Sequence, residues 1–459
     1  MKLISLIVLL ISLVFFYTAP NYPSRPFMGF CTIIAIFLIV LQIKGYCTDK
    51  ELKKIYLRHS TIFLIFFFIV FFQRATDFSL GIIDQDSISV YDLIWAYVPS
   101  VVSKASALAL LALSTFLFGY HCYSPRLLKD CIYTYKFRSK YFLVTSGFGL
   151  LFVYVALTGI GDFSKHSEDE NMGFLMVAQA VLLAIVVIYS YEYKNKVNAK
   201  SIRILYFLFP LSLILFYLFV YFATGNRGGA IKVCLMLLAS YVYIAKDGVN
   251  YKRIFVLFII GAFSMTLIGI IRMQETKNLN EISSLISAKE QFTLTVELSG
   301  SVNTVHLVLA NVPIKQNYNW GTSFINGFSV LVPGLSRITH GVAEPSGETI
   351  TKMYFGENMP DWGWGFGSSC IADVYISFGI LGIIVIFFFL GRFIHYLEYG
   401  TFVADKSPYF LILSFCVFSQ FHSLCRGSFS ILFLSWDYAV LLVFLFVQCY
   451  KKRKIIHNT

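Results

Sequence analysis

The chain has 459 residues; 57% are hydrophobic and 18% aromatic, but only 14% are charged. A soluble protein of this length needs more charge to cover its surface, so the composition excludes that class and favours a polytopic helical membrane protein. The net charge of +12 could suggest nucleic acid, but the basic residues lie in short loops between apolar runs, as expected for membrane topology. Nucleic acid is therefore excluded as a partner. Nine scattered cysteines, without ligand spacing, predict neither a disulfide framework nor a metal site.

Apolar runs along the chain predict about twelve transmembrane helices. The first run resembles a signal peptide but has Pro20 where cleavage would be expected, so we interpret it as an uncleaved span. The predicted helices lie near 3–19, 27–44, 60–73, 95–119, 141–160, 173–193, 204–223, 229–245, 254–271, 373–396, 408–424 and 429–449.

The charges between these runs predict the orientation. Alternate loops and the KKRK tail are basic, whereas the intervening loops carry acidic residues such as SEDE at 167–170. The positive-inside rule then places both termini in the cytoplasm. We therefore predict three regions: transmembrane helices 1–9 over 1–271, a large outer loop with short helices over 272–372, and helices 10–12 with a basic cytoplasmic tail over 373–459.

Two tight hairpins on the predicted outer face each hold an arginine beside glycine. ATGNRGGAIK (223–232) contains Arg227, and CRGS (425–428) contains Arg426. Glycine allows a sharp turn and close approach of a ligand, and guanidinium favours bidentate binding of phosphate oxygens. The alternative is that each arginine only anchors its helix at the membrane boundary.

The long outer loop combines helical patterning with polar segments. Amphipathic patterns predict helices over 279–292 and 296–312, and FINGFSVLVPGL (324–335) is apolar enough to lie at the membrane surface. The following segment, to about 369, is rich in glycine, proline and polar residues. Long ordered loops on rigid scaffolds commonly carry binding and catalysis.

Several loop residues are candidates for chemistry. His340 and Glu297 could act as a general base, or could simply be solvated polar groups. Arg337 and Arg272 could contact phosphate. In DWGWGFG (361–367), Trp362 and Trp364 could pack against sugar rings, although tryptophan also populates membrane interfaces without a ligand.

Together these features resemble the Wzy-type O-antigen polymerases, over about 204–445. The resemblance rests on the Gly-Asn-Arg-Gly hairpin and on four further segments. These are VELSG (296–300), NWGTSFINGFSVLVPGLSR (319–337), SSCIADVYISFGILGIIVIF (368–387) and SLCRGSFSILF (423–433). The chain departs from the family pattern after Arg337, where ITHGVAEPSG replaces the usual proline- and lysine-rich sequence.

The resemblance implies an inverting, metal-independent glycosyltransferase of the GT-C type that needs no cofactor. Its substrates would be undecaprenyl-pyrophosphate-linked oligosaccharides, joined at the periplasmic face of the bacterial inner membrane, with a polysaccharide chain-length regulator as a further partner. Arg227 and Arg426 would then neutralise pyrophosphate, and His340 or Glu297 would be the base. The 320–366 region, with Trp320, would be the sugar platform.

Two alternatives stay open at this stage. An O-antigen ligase has similar topology and outer arginines but transfers the chain to the lipid A core. A twelve-helix lipid-oligosaccharide flippase would show paired halves, and no internal repeat is visible here.

Overall fold

Ten of the twelve apolar runs form α-helices in the computed structural model, and the remaining two, 254–271 and 429–449, lie almost wholly outside the described residues. The structure describes residues 1–44, 52, 55–83, 98–124, 133–137, 140–158, 172–196, 205–223, 227–245, 249–250, 252, 254, 256, 295–325, 346–356, 367–404, 408–429 and 450–454.

The helices of the first half follow the apolar runs closely. A one-turn 3₁₀ helix, Pro99–Val101, leads into α5. The bounds are α1 Lys2–Thr18, α2 Arg25–Ile43, α3 His59–Phe71, α4 Gln73–Ser79, α5 Val102–Cys122, α6 Lys140–Thr158, α7 Met172–Lys196, α8 Leu205–Ala223 and α9 Arg227–Ala245.

The second half contains the described helices of the long loop and two further apolar helices. A short π-helical segment, Tyr399–Val403, follows the longest helix, α13. The bounds are α10 Val296–Ser299, α11 Val302–Asn311, α12 Ser346–Phe355, α13 Cys370–Glu398 and α14 Pro408–Arg426.

Length and composition make the fold that of a polytopic membrane protein. Five described helices are long and apolar enough to cross a membrane, or six if α3 and α4, bent by 51°, form one span. Four more apolar helices are shorter. The predicted class is confirmed at this level, and the total of twelve spans stays a prediction.

One element departs from the predicted all-α architecture. Strand β1, Tyr133–Phe137, pairs antiparallel with strand β2, Tyr450–Lys454, and Tyr135 lies opposite Lys452. The sequence analysis assigned these segments to an inner loop and the tail. YTYKF (133–137) does alternate aromatic and polar residues as a strand does, but it is only five residues long, and its partner YKKRK (450–454) shows no alternation.

The long loop also differs in detail from its prediction. The helix predicted over 296–312 is two helices, α10 and α11, separated at Gly300 and Ser301. Helix α12 was not predicted, because its segment is short and polar and begins beside Pro345 and Gly347. The helix predicted over 279–292 lies outside the described residues, as does most of 324–335.

The chain divides into two compact units that interleave along the sequence. The first comprises Met1–Pro125, Thr295–Tyr399 and Phe421–Leu434, and the second comprises Arg126–Leu294, Gly400–Gln420 and Ser435–Thr459.

In the first unit, the buried helix α5 packs against α1 and α13. Two glycines allow the backbones of α5 and α13 to touch. A Cβ atom on Gly391 would lie 2.0 Å from the Phe116 carbonyl oxygen, and one on Gly119 would lie 2.0 Å from that of Phe388. Small residues at such crossings are the usual means of close helix packing in membranes.

In the second unit, α7 packs against α6 and α9. The hydroxyls of Ser190 and Ser240 hydrogen-bond at 2.6 Å, and the Lys194 ammonium lies 4.1 Å from the centroid of the Tyr243 ring. Polar groups between apolar helices therefore find partners inside this unit, as burial in a membrane requires.

Candidate functional site

The described part of the long loop converges on a buried carboxylate in the first turn of α13. Asp373 is fully buried, and its Oδ2 accepts a 2.8 Å hydrogen bond from the Phe429 backbone N–H. Ser369 caps the helix by accepting a hydrogen bond from the Ala372 N–H. A helix N-terminus favours a negative side chain, so this turn suits a carboxylate.

Hydroxyl groups from the loop surround this turn of α13. Thr304 of α11 hydrogen-bonds to Ser369 at 2.9 Å, and Ser346 of α12 donates to Ser368 at 3.0 Å. The hydroxyls of Ser346 and Ser323 also interact with the Asp373 carboxylate. Among the described residues, however, no donor makes a hydrogen bond of standard geometry to Asp373 Oδ1. We call Asp373, Ser323, Ser346 and Phe429 the Asp373 cluster.

A second contact fastens the loop to α13 where that helix bends. Gly379 has φ +62° and ψ −150°, a backbone conformation open essentially only to glycine. Near the bend, the Ile376 carbonyl accepts a 3.0 Å hydrogen bond from the Asn319 N–H of the loop. The Tyr318 ring occupies the space where a Cβ on Gly379 would lie.

This contact presents Trp320 at the surface. Trp320 is 75% exposed and has φ +50°, which is unusual for a bulky residue. Its ring lies edge-on to Tyr318 at a centroid distance of 6.3 Å. An exposed indole can pack against the apolar face of a sugar, and the role of Trp320 in a sugar platform stays a prediction.

Arg426 is the last residue of α14, and its side chain is exposed. A cation in the last turn of a helix also interacts favourably with the helix dipole, so its position has a structural benefit as well. The residues that follow are tied to the loop: the Phe429 ring lies 5.9 Å from Phe324, and the Phe429 N–H binds Asp373. The thiol of the preceding residue, Cys425, lies beside that of Cys370 at the start of α13.

The structure brings together only part of the predicted site. Trp320 and Arg426 both belong to the first unit, at segments joined through Phe324 and Phe429. Arg227 begins α9 in the second unit, and Glu297 lies in α10; their side chains are not among those described. The remaining predicted site residues lie outside the described residues: Arg272, Arg337, His340, Trp362 and Trp364.

His306 of α11 is a packed residue of the loop. It is buried, and burial lowers the pKa of its imidazole to about 3. The ring is therefore neutral at physiological pH and stabilises the loop only in that form. Within the described ranges, no three His, Cys, Asp or Glu side chains are arranged to hold a metal ion.

Sequence reasoning missed Asp373. The sequence signal was its position: Asp373 is an acidic residue near the start of the long apolar run that follows SSC (368–370). An ionisable group at that position is costly unless the fold provides partners, and for that reason it indicates a function or a specific contact.

The comparisons with known proteins bear on the whole chain. No curated protein and no solved structure matches it significantly. The family model described as O-antigen polysaccharide polymerase Wzy matches residues 1–454, almost the full length. The chain therefore belongs to the Wzy family of O-antigen polysaccharide polymerases.

Proposed function

We propose that this chain is an inverting, metal-independent polymerase of the GT-C type. It joins undecaprenyl-pyrophosphate-linked oligosaccharide repeat units at the periplasmic face of the bacterial inner membrane, and both of its termini are cytoplasmic. The observation that carries the proposal is the family match over residues 1–454. The exposed Arg426 and Trp320, on segments tied together through Phe429 and Phe324, support the assignment of the reacting face.

The chemistry divides into three tasks. The donor sugar is already activated by its pyrophosphate, so the protein must stabilise the negative charge that develops on the leaving group. Arg426 and Arg227 provide the positive charge for this task. A base, His340 or Glu297, takes the proton of the acceptor hydroxyl as it attacks the anomeric carbon from the opposite face. Trp320 holds a sugar ring, with Trp362 and Trp364 as further platform residues. Arg272 and Arg337 are additional phosphate contacts.

The lipopolysaccharide ladder of a deletion strain tests the reaction. We expect lipopolysaccharide capped with a single repeat unit and no ladder, because export and ligation continue without polymerisation. Core lipopolysaccharide without any repeat, together with accumulating lipid-linked polymer, would instead identify a ligase. Loss of all repeat units from the outer face would identify a flippase.

Complementation of that strain tests the arginines. Arg426→Ala and Arg227→Ala should each leave the single-repeat phenotype, with a loss of about a hundredfold or more in polymer formed. The matched control is Lys352→Ala, which removes an exposed cation of α12 that pairs with Glu348 at 3.2 Å on the same helix face. If the Arg426→Ala or Arg227→Ala protein is present at normal abundance and produces a normal ladder, that arginine only anchors its helix at the membrane boundary.

A further inference from the structure

The geometry points to Asp373 as a positioning residue: we propose that its carboxylate fixes the turn that follows Arg426, and thereby the place of the Arg426 guanidinium. This inference rests on the proposed role of Arg426 in the reaction. The contact that carries it is the 2.8 Å hydrogen bond from the Phe429 N–H to Asp373 Oδ2, which joins positions 56 residues apart.

Two contacts of Phe429 link the turn after Arg426 to other segments of the first unit. Residues 427–429 follow the end of α14 and have no regular structure. The Phe429 ring packs on Phe324, a loop residue that itself packs on Phe378 at 5.8 Å. The hydrogen bond to Asp373 links this turn directly to the first turn of α13, and a buried hydrogen bond fixes direction as well as distance.

The burial of Asp373 argues that this link is specific. A buried carboxylate is costly, and leucine or alanine would fill the first turn of an apolar helix without that cost. The fold provides it with a capped helix N-terminus, the Phe429 N–H and two nearby hydroxyls. These groups stabilise a carboxylate that faces the Arg426 turn. Asp373 is fully buried, so it contacts no substrate in this arrangement and acts through Arg426.

The test is a series of substitutions assayed by ladder length and by abundance in the membrane. Asp373→Ala removes the acceptor and should reduce polymer formation by up to about a hundredfold, because displacement of a catalytic group by about 1 Å can cost that much. Asp373→Asn keeps an oxygen that accepts from the Phe429 N–H and should retain most activity. Ser114→Ala is the control: it removes a buried hydroxyl of α5 that donates to the Leu111 carbonyl, outside the Asp373 cluster, and should resemble the wild type.

A cross-linking readout reports the position of the turn directly. Cys370 lies one turn before Asp373, and Cys425 precedes Arg426, so copper-phenanthroline oxidation in isolated membranes should join the two contacting thiols in a disulfide. We expect the yield to fall severalfold in Asp373→Ala and to be unchanged in Asp373→Asn and Ser114→Ala. Mass spectrometry of non-reduced digests measures it.

Three outcomes would overturn the inference. These are wild-type activity of Asp373→Ala, an Asp373→Asn protein as inactive as Asp373→Ala at normal abundance, or an inactive Asp373→Ala protein with unchanged cross-linking. The second and third would indicate direct chemistry by the carboxylate. Failure of the proposed function is separate, because it would appear as a normal ladder from Arg426→Ala regardless of the result at Asp373.

Discussion

Helix α13 carries a buried carboxylate near each end, and the two are partnered differently. Glu398 accepts hydrogen bonds from the Ser60 N–H at 2.5 Å and from the Tyr120 hydroxyl, and the Arg58 Nε atom lies 3.8 Å away. Both of its oxygens are therefore engaged, and a cation balances its charge. Asp373 has one backbone donor, and no described donor hydrogen-bonds its second oxygen.

The difference indicates what each end does. Around Glu398, Arg58 also donates to the carbonyls of Leu52 and Gln42, so one hydrogen-bonded network joins the ends of four helices, α2, α3, α5 and α13. Such networks fix one packing arrangement. At the Asp373 cluster, by contrast, the partners come from loop segments, and the carboxylate holds a turn next to an exposed arginine. The Glu398 end therefore serves stability, whereas in our proposal the Asp373 end positions the turn after Arg426.

The largest effect is expected from removing the cation that pairs with Glu398. Arg58→Ala leaves Glu398 buried without its cation, which should lower the free energy of unfolding by about 3–5 kcal/mol. We expect little protein in the membrane, measured by immunoblot. Arg58→Met combined with Glu398→Gln removes both charges and should restore much of the abundance. A stable Arg58→Ala protein would show that the ion pair contributes little.

A smaller loss of stability is expected from a substitution between the two ends of α13, where this helix touches α5. In Gly391→Ala, the new Cβ would overlap the Phe116 carbonyl oxygen, and a backbone atom cannot move aside as a side chain can. We expect a loss of about 1–3 kcal/mol, measured as a lower thermal midpoint in detergent. Gly149→Ala is the matched control, because no atom lies within 4 Å of its Cβ position. Equal midpoints for the two variants would contradict this packing.

The smallest effect on stability is expected from lowering the pH, through protonation of His306 in the loop. The pKa of His306 falls from its ordinary 6.5 to about 3 in the folded state, so the unfolded chain binds a proton that the folded chain does not. The contribution of neutral His306 to the free energy of unfolding is present above pH 6.5 and is lost as the pH falls towards 3, by about 1.4 kcal/mol at pH 5.5. We expect His306→Gln to show a shallower fall in thermal midpoint between pH 7.5 and pH 5.5. Identical falls would show that His306 does not contribute.

Sequence reasoning recovered the helices better than the site, for physical reasons. A membrane helix must be continuously apolar, so runs such as 141–160 and 229–245 predict α6 and α9 within a few residues. The contact between Asp373 and Phe429 depends on how distant segments pack, and no local pattern encodes it. Helix α12 was missed because it is only ten residues long and mostly polar, although it packs against α11 and buries Ile350.

The bend at Gly379 has a practical consequence for chimeras between relatives. Hydropathy places the border between loop and membrane helix near residue 373, where the chain becomes apolar. However, the Ile376 carbonyl is bound by the loop residue Asn319, and Asp373 is bound by Phe429, so the first turns of α13 belong with the loop. A transplanted loop should therefore carry its own residues through Gly379, because a junction at Cys370 would separate Asn319 from the residue it binds.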